Sequence, residues 1–353
     1  MCPVPAEAPP RPLLIANPAA GRGRTGRELG HLLAAVRGAV GPLDVVETRA
    51  AGDASRLAAG AAGDRRPLVI SVGGDGTLSE IVDGVMRATH DTSGASAGAG
   101  QACSAGAADG GAQYSSSAAA PCVGFVATGT GGDFGRTLGI PGRTADHVAV
   151  LAAGTERTVD VARARFPGGD GTLRERWWIN VLSAGVGGLV DRYTATAPAF
   201  LSGRLSYAQA TLRGIVMCRR VRLSCRAVLP GGETAERVID SHAVVICNGR
   251  TFGGGMNIAP MARPDDGLLE VIVLETRTRL RLIAKLGTVY QGTHLREPGV
   301  THFSCRSLEL TPLQAAPAGR QLFPLDVDGD PLGDVPLAVS VVPGALRIRA
   351  PGR

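Results

Sequence analysis

The chain has 353 residues, of which 44% are hydrophobic and 19% are charged, and its formal net charge is +6. This balance is typical of a globular protein large enough for two cores, and no apolar run approaches the roughly 20 residues of a membrane span. Seven cysteines without CxxC spacing argue against a disulfide framework and against a zinc site. Lys285 is the only lysine, which excludes the GxxxxGK[ST] phosphate loop and the lysine-bearing strand of protein kinases.

The first twelve residues, MCPVPAEAPPRP, are rich in proline. They lack the charged start and the apolar stretch of a signal peptide. We therefore expect a flexible leader over residues 1–12 and a cytoplasmic protein, and nothing in the composition leads us to expect a nucleic-acid partner.

Strands and helices alternate from residue 13 to about residue 150. Strands are predicted at PLLIAN, LDVVET, LVISV and CVGFVAT, and helices at GRELGHLLAAVRGAV, DASRLAAGAA and a segment that ends near Arg87. This alternation predicts a three-layer α/β domain over 13–150, with a parallel sheet between two layers of helices. Residues 89–120 are mostly Gly, Ala and Ser, so we expect a disordered surface insertion there.

Strand-like segments dominate after residue 150. They are RTVDVARARF, RWWINVLSAG, VRLSCRAVL, HAVVICNG, LLEVIVLE, THFSCRSLEL and a last one at LAVSVVPGALRIRA, and two helical stretches, GRLSYAQATLRGIV and RLRLIAKLGTVYQG, interrupt them. Many strands joined by Gly, Pro and Asp turns predict a mainly β-sandwich domain over 151–353. The default position for an active site is then the cleft between the two domains.

Three glycine-rich turns follow strands of the first domain, at residues 17–26 (NPAAGRGRTG), 73–77 (GGDGT) and 127–141 (ATGTGGDFGRTLGIP). A strand, a glycine turn and a helix N-terminus form an anion site, because unpaired N–H groups and the helix dipole converge there. At the second turn, Thr77 and Glu80 have the spacing of a capping box. Three such turns at one sheet edge indicate a polar cradle for a phosphate-bearing ligand.

The first turn also matches the dinucleotide-binding pattern GxGxxG through Gly21, Gly23 and Gly26. Glu47 ends the next strand, about where a ribose-binding acid belongs, so a Rossmann-type protein is an alternative. Asn17-Pro18-Ala19-Ala20 precede the first glycine at the strand end, however, whereas the Rossmann turn is tight. The sequence therefore favours the broader phosphate cradle.

Several motifs resemble those of the diacylglycerol kinase catalytic domain family, which includes bacterial lipid kinases and sphingosine kinases. The main ones are NPAAG at 17–21, GGDGT at 73–77 and GTGGDF at 129–134. The order and spacing fit from residue 13 to about 345, with further matches at Thr48, Gly52-Asp53-Ala54, Asn180-Val181 with Gly185, PMARPDDGL (260–268) and Asp328-Gly329-Asp330. NAD kinases share GGDGT, but GTGGDF and the terminal DGD separate this chain from them.

The resemblance implies a kinase that uses ATP and Mg²⁺ to phosphorylate a hydroxyl of diacylglycerol or a similar long-chain lipid. It implies that Asp330 is the general base with Asp328 beside it, and that Asp133 faces the head of the lipid. It implies a magnesium ion held by Asp266 and the carbonyl of Leu268. The nucleotide contacts that it implies are Asn17, Pro18, Ala19, Ala20, Gly21, Thr48, Gly73, Gly74, Asp75, Gly76, Thr77, Leu78, Ser79 and Thr130.

Three positions depart from the family pattern. Ser79 and Gly132 stand where the family usually has Asn, and Asp330 stands where it usually has Glu. The last change shortens the expected base by one methylene. Two alternatives therefore stay open, an NAD kinase-like enzyme acting on a soluble dinucleotide and a nucleotide-binding homologue that has lost catalysis.

A lipid substrate must be reached from a bilayer. The two helical stretches of the second domain mix apolar residues with basic ones, which suits an anionic membrane surface and equally a solvated helix face. We expect a lipid partner at the membrane surface and leave peripheral association at the inner face of the membrane and a homodimer open. The basic residues are Arg204, Arg213, Arg277, Arg279, Arg281 and Lys285.

Overall fold

The computed structural model describes residues 9–90, 120–129, 131–189, 209, 213–215, 217–276, 286–316 and 321–352. Thr130, most of the predicted insertion and most of the two helical stretches near residues 203–216 and 279–292 lie outside the described residues. Of the basic residues on those stretches, only Arg213 is described.

The first half of the described chain has the predicted alternation. Its strands β2, β1, β3 and β4 pair in that order and run parallel. The elements are β1 (Leu13–Ala16), α1 (Arg24–Val40), β2 (Asp44–Glu47), α2 (Asp53–Gly63), β3 (Leu68–Gly73), α3 (Asp75–His90), β4 (Cys122–Ala127), α4 (Asp133–Thr137) and α5 (Thr144–Ala153).

Helix α3 is longer than the sequence predicts. Residues 89 and 90 belong to it rather than to the insertion. Two contacts extend the helix: the Thr89 hydroxyl donates to the carbonyl of Val85 at 2.9 Å, and the ring of His90 lies 5.1 Å from that of Trp177.

Alternate residues of the parallel strands face opposite helix layers. Ile15 and Val69 pack with α2 and α3 on one face. Leu14 and Ile70 pack with α1 and α5 on the other. Side chains of a strand point to alternate faces, so nearly every residue of these strands must be apolar to bury both faces. This explains the continuous apolar runs in the sequence.

The second half is mainly β. Described helical turns include a short helix at Leu286–Tyr290 and a 3₁₀ turn at His294–Arg296. The strands are β5 (Glu156–Pro167), β6 (Leu173–Trp178), β7 (Val181–Gly185), β8 (Val221–Val228), β9 (Thr234–Ser241), β10 (Ala243–Cys247), β11 (Leu269–Leu274), β12 (Val300–Cys305), β13 (Ser307–Pro312), β14 (Pro324–Val327), β15 (Asp330–Asp334) and β16 (Leu337–Arg349).

These strands form two sheets that pack face to face. Strands β12-β11-β10-β7-β14-β15 form one sheet, and β16-β13-β8-β9 with β5 and β6 lie in the other. The core between them contains residues of both, such as Trp178 and Leu223 from one sheet and Leu182 and Val271 from the other. The fold is therefore an α/β domain with a parallel sheet and a β-sandwich-like C-terminal domain, as the sequence predicts.

The sheet of the first domain continues into the second, because β16 pairs with β4 through Ile348 and Val123. The domain boundary near residue 150 stays a prediction. None of the helices within the described residues is long and apolar enough to cross a membrane.

Two segments predicted as single strands are each two strands in different sheets. RWWINVLSAG divides into β6 and β7, and THFSCRSLEL divides into β12 and β13. At the first break the carbonyl of Asn180 accepts the N–H groups of Asn248 and Gly249, both at 2.9 Å. At the second break Arg306 donates its N–H to Val228 at 2.7 Å. Neither break contains a glycine or a proline, so these turn residues could not indicate them.

Candidate active site

The three glycine loops lie side by side because β1, β3 and β4 are neighbours in the parallel sheet. The N–H of Asn17 donates to Val72 at 2.9 Å, and the N–H of Thr128 donates to Gly73 at 2.8 Å. The hydroxyls of Thr25 and Thr128 lie 2.6 Å apart and join the first loop to the third. The sequence prediction that these loops share one sheet edge is confirmed.

The first loop is a wide turn between β1 and α1. The side chain of Asn17 accepts the N–H of Ala19 at 3.1 Å and donates to the Thr77 hydroxyl at 3.2 Å. Gly21 has a φ of 60°, and a Cβ there would lie 2.9 Å from the carbonyl oxygen of Thr128. Glycine is therefore required at position 21 both for its backbone conformation and for the close approach of the third loop.

The second loop ends at the N-terminus of α3, whose first residue is Asp75. The first N–H groups of any helix have no partner inside it, so they are available to an anion. A Cβ on Gly73 would lie 2.5 Å from the Thr77 hydroxyl, whereas one on Gly74 would meet no atom within 4 Å. The backbone of Gly74 therefore borders open space next to the helix terminus.

The capping box predicted for α3 is wrong. The Glu80 carboxylate accepts the N–H groups of Gly52 at 3.0 Å and Ala54 at 3.1 Å instead of returning to its own helix. Glu80 thus caps α2, and it holds the N-termini of α2 and α3 together. The remaining N–H groups at the start of α3 are left for a ligand.

The Asp75 side chain, which was unexpected beside a phosphate, points to the third loop. Its carboxylate accepts the N–H groups of Gly132 at 2.8 Å and Asp133 at 3.0 Å. Burial is the largest cause that raises the pKa of Asp75 to about 7, followed by the charges of Asp133 and Asp328. A Cβ on Gly131 would lie 2.1 Å from this carboxylate. Asp75 therefore ties two loops together, and its backbone N–H remains at the helix terminus.

The other expected nucleotide contacts lie around these loops with different exposures. The Leu78 side chain is buried in the core, so only its backbone can reach a ligand. Ser79 is fully buried, and its hydroxyl lies beside Asp328, where it lowers the pKa of that carboxyl. Thr48 follows β2 and donates its N–H to the carbonyl of Ala16 at 2.8 Å. Thr48 is partly exposed.

Asp133, the expected lipid contact, is buried and holds another loop in place. Its carboxylate forms an ion pair with Arg136 at 2.6 Å and accepts the N–H of Gly254 at 2.8 Å. Its carbonyl accepts the Thr251 hydroxyl at 2.9 Å. Sequence reasoning missed this 251–255 loop, although the run Gly253-Gly254-Gly255, whose three φ angles are all positive, was a signal that could have found it.

The Asp328-Gly329-Asp330 segment is the turn between β14 and β15. Asp328 adopts a φ of 50° and accepts the N–H of Val181 at 2.9 Å. Burial raises the pKa of Asp328, and the hydrogen bond from Val181 is the largest opposing influence. Asp328 therefore anchors the turn to β7, while its neighbour Asp330 is left at the surface of the site.

Asp330 is brought to the start of α3. One oxygen of its carboxylate lies 4.0 Å from the position of a Cβ on Gly76. The other oxygen lies 3.2 Å from a terminal nitrogen of Arg176. The terminal turn and the second glycine loop, which are about 250 residues apart in the sequence, therefore form one site between the two domains.

Arg176, which sequence reasoning missed, links Asp330 to a buried carboxylate. Its second terminal nitrogen lies 3.3 Å from Asp83, whose side chain is 4% exposed. Asp83 also pairs with Arg87 at 2.8 Å and accepts the N–H of Trp177 at 2.9 Å. Asp83 and Arg87 lie one turn apart on α3, and no spacing rule connects them to Arg176 on β6.

The expected magnesium position lies in the loop between β10 and β11. Asp266 accepts the N–H of Leu268 at 3.1 Å. Burial raises the pKa values of both Asp266 and nearby Asp160, and the neighbouring carboxylates raise them further. The described residues contain no cluster of three or more His, Cys, Asp or Glu side chains suited to a metal. One carboxylate with carbonyl oxygens fits Mg²⁺, which usually keeps several waters.

Two domain families match the chain. Residues 11–164 match the diacylglycerol kinase catalytic domain, and residues 180–350 match the YegS C-terminal NAD kinase beta sandwich-like domain. The first domain therefore belongs to the diacylglycerol kinase catalytic domain family, and the second matches the C-terminal domain of YegS. Lipid kinases of this family are thus its relatives, and the resemblance seen in the motifs is confirmed.

Two relatives illustrate the match. A protein of Chromohalobacter salexigens named "Probable lipid kinase YegS-like" is 29% identical over 328 residues, which cover 92% of this chain and 86% of that protein. A "Diacylglycerol kinase" of Mycobacterium tuberculosis is 29% identical over 231 residues, which cover 65% of this chain and 69% of that protein. Both names describe lipid kinases.

Solved structures agree on the fold. A diacylglycerol kinase from Bacillus anthracis str. Sterne superposes with a TM-score of 0.62 at 19% identity and covers 97% of each chain. The yeast NADH kinase complexed with NADH has a TM-score of 0.50 at 12% identity and covers 98% of this chain and 85% of the other. At such identities the likeness is one of fold alone.

Proposed function

We propose that the protein is an ATP-dependent lipid kinase that transfers the γ-phosphate of ATP to a hydroxyl of diacylglycerol or a similar long-chain lipid. The observation that carries the proposal is the meeting of Asp330 with the start of α3, where its carboxylate lies 4.0 Å from the Cβ position of Gly76. A helix terminus suited to bind an anion, with a carboxylate next to it, suits phosphoryl transfer to an alcohol.

Nucleotide binding rests on backbone groups in this proposal. The N–H groups at the start of α3 face the phosphates, and Gly74 leaves the approach open because no atom lies within 4 Å of its Cβ position. Asn17 and Asp75 hold the three loops in register through the hydrogen bonds to Thr77, Gly132 and Asp133. A rigid cradle of this kind needs no lysine, because the amides and the helix dipole supply the positive potential.

Asp330 accepts the proton of the lipid hydroxyl in the proposed reaction. Phosphoryl transfer depends mainly on positioning and on charge stabilisation, and the base assists the attacking oxygen. Its side chain is 43% exposed, so a substrate can reach it. Arg176 holds one carboxylate oxygen at 3.2 Å, and the other oxygen lies 4.0 Å from the Cβ position of Gly76.

Magnesium would be held at Asp266 and the carbonyl of Leu268. Pro343 lies close to this loop, because a Cβ on Gly267 would be 3.4 Å from its ring. When bound, such an ion neutralises negative charge, here that of Asp266, Asp265 and Asp160. The lipid would approach from the membrane surface, with peripheral association supported by the basic residues of the sequence.

Transfer of label from γ-labelled ATP to diacylglycerol in mixed micelles tests the proposal. We expect labelled phosphatidate with the parent protein and roughly 10²–10⁴-fold less with Asp330→Asn. The fold shared with the NADH kinase makes labelling of NAD the second candidate, and a parallel reaction with NAD distinguishes the two. Label in NAD alone contradicts the proposal.

A further inference from the structure

A cavity of about 740 Å³ lies at the opposite end of the parallel sheet from the glycine loops. It is bordered by Leu68, where β3 begins, and by Ala120, just before β4. Strand β3 has six residues, so the length of the sheet separates this cavity from the glycine loops by about 17 Å. A ligand here would not contact the proposed nucleotide site.

The cavity has an excess of positive charge. Arg65, Arg66, Arg347 and Arg349 line it, and Glu156 is the acidic residue among the lining residues. Arg66 forms a close ion pair with Asp44, and its Nε lies 3.9 Å from Asp64; both carboxylates are outside this lining and offset the charge of Arg66. Several guanidinium groups around one cavity attract anions, because the low dielectric constant of the surrounding protein strengthens their electrostatic field inside the cavity.

Two of the arginines share one carboxylate. Glu156 lies 3.2 Å from Arg347 and 3.3 Å from Arg349, one oxygen to each. The side chain of Arg347 is 35% exposed and that of Arg349 is 22% exposed. Both side chains can therefore be reached by a ligand in the cavity.

The fourth arginine is held by a strained turn. Arg65 is exposed and adopts a φ of 52°, a conformation that residues with a Cβ rarely adopt. Strained backbone persists where the surroundings enforce it, and it is enriched at ligand-binding positions. Here it places a guanidinium at the rim of a cavity that already contains three others.

We propose that this cavity is a second ligand site that binds a phosphate group. The planar fork of a guanidinium matches two phosphate oxygens at once, and several arginines around one recess are typical of phosphate recognition. The volume is ample for a phosphate with an attached group, such as the headgroup of an anionic lipid. The site is independent of the proposed kinase reaction.

Calorimetric titration with inorganic phosphate tests the site. A saturating non-hydrolysable ATP analogue is present throughout, so that phosphate cannot bind at the glycine loops. Arg347→Gln should weaken phosphate binding by roughly tenfold, since a hydrogen bond to a charged group is lost. Glu156→Gln should tighten it, because the competing carboxylate is removed. Arg174→Gln is the matched control: its exposed pair with Asp170 lies outside the cavity, and binding should stay unchanged.

Vesicles of phosphatidylglycerol, compared with phosphatidylcholine, form the second arm. If the variants change the affinity for inorganic phosphate in the predicted order, the site binds soluble phosphates. If they change only the affinity for phosphatidylglycerol vesicles in that order, the site binds a lipid headgroup. The unfolding temperature without ligand checks each fold, and Arg65→Gln replaces Arg347→Gln if the latter unfolds. Equal affinities of parent, Arg347→Gln and Glu156→Gln in both arms overturn the proposal.

Discussion

Replacing Asp330 by Asn should lower the turnover of the enzyme strongly and change its folding free energy little. The change removes a charge and one proton acceptor but keeps the shape of the side chain. Because Asp330 lies beside the start of α3, turnover should fall roughly 10²–10⁴-fold, the usual loss when general acid–base help is removed. ATP affinity should persist, since the glycine loops do not depend on this carboxylate.

The cost in folding free energy should be small. Asp330 is 43% exposed, and exposed ion pairs contribute about 0.2–1 kcal/mol. Asp83→Asn is the contrasting variant at the other end of the same arginine. Asp83 is 4% exposed and pairs with both Arg87 and Arg176, so the loss there should approach the 3–5 kcal/mol or so that is typical of breaking a buried pair.

The assay is a comparison of three quantities in both variants: initial rate with diacylglycerol micelles, ATP affinity by calorimetry, and the free energy of unfolding by urea. Asp330→Asn should change the first alone, and Asp83→Asn should change the third. A rate of Asp330→Asn equal to that of the parent refutes the assignment of the base. A large loss of stability in the same variant refutes the view that Asp330 is held loosely at the surface.

Three further predictions follow from the same site. Gly74→Val should abolish ATP binding at an unchanged unfolding temperature. Gly73→Val should instead unfold the protein, because its Cβ would lie 2.5 Å from the Thr77 hydroxyl. Calorimetry and thermal melts check both variants, and a normal ATP affinity of Gly74→Val would place the nucleotide elsewhere. Asp330→Glu restores the usual family length and should hold or raise the initial rate; a collapse of activity would show that the site is built for the shorter acid. The pKa of Asp75 is about 7 in the folded protein against an ordinary 3.8, so the folded state binds the extra proton, and the stability this gives at acid pH is lost as the pH rises through 7. Asp75→Asn should therefore remove part of the fall in unfolding free energy between about pH 4 and pH 7, and an identical pH slope in both proteins contradicts the raised pKa.

The parallel sheet and the loops at its edge could be predicted from the sequence because their causes are local. Apolar runs such as Leu68–Gly73, buried at every residue, specify strands covered on both faces. Adjacent parallel strands then bring their glycine turns to one edge. The placement of Asn17 beside Thr77 follows from that order alone.

The contacts that complete the site could not be predicted in this way. Asp330 meets Arg176 across 154 residues of sequence, and Asp75 reaches the N–H groups of Gly132 and Asp133 across 57 and 58 residues. A charged side chain can pair with many partners, and only the tertiary packing of the chain selects among them. Local patterns also misassigned Glu80, whose partner is a different helix.

Labelling of a total lipid extract with γ-labelled ATP is the most direct test of the central claim. The purified protein, with NAD in a parallel tube, should transfer label to a lipid that runs as a phosphorylated long-chain alcohol, and Asp330→Asn should abolish nearly all of that signal. Label that appears in NAD and in no lipid contradicts the account. So does ATP binding without transfer to either acceptor, which would identify a homologue that has lost its catalysis.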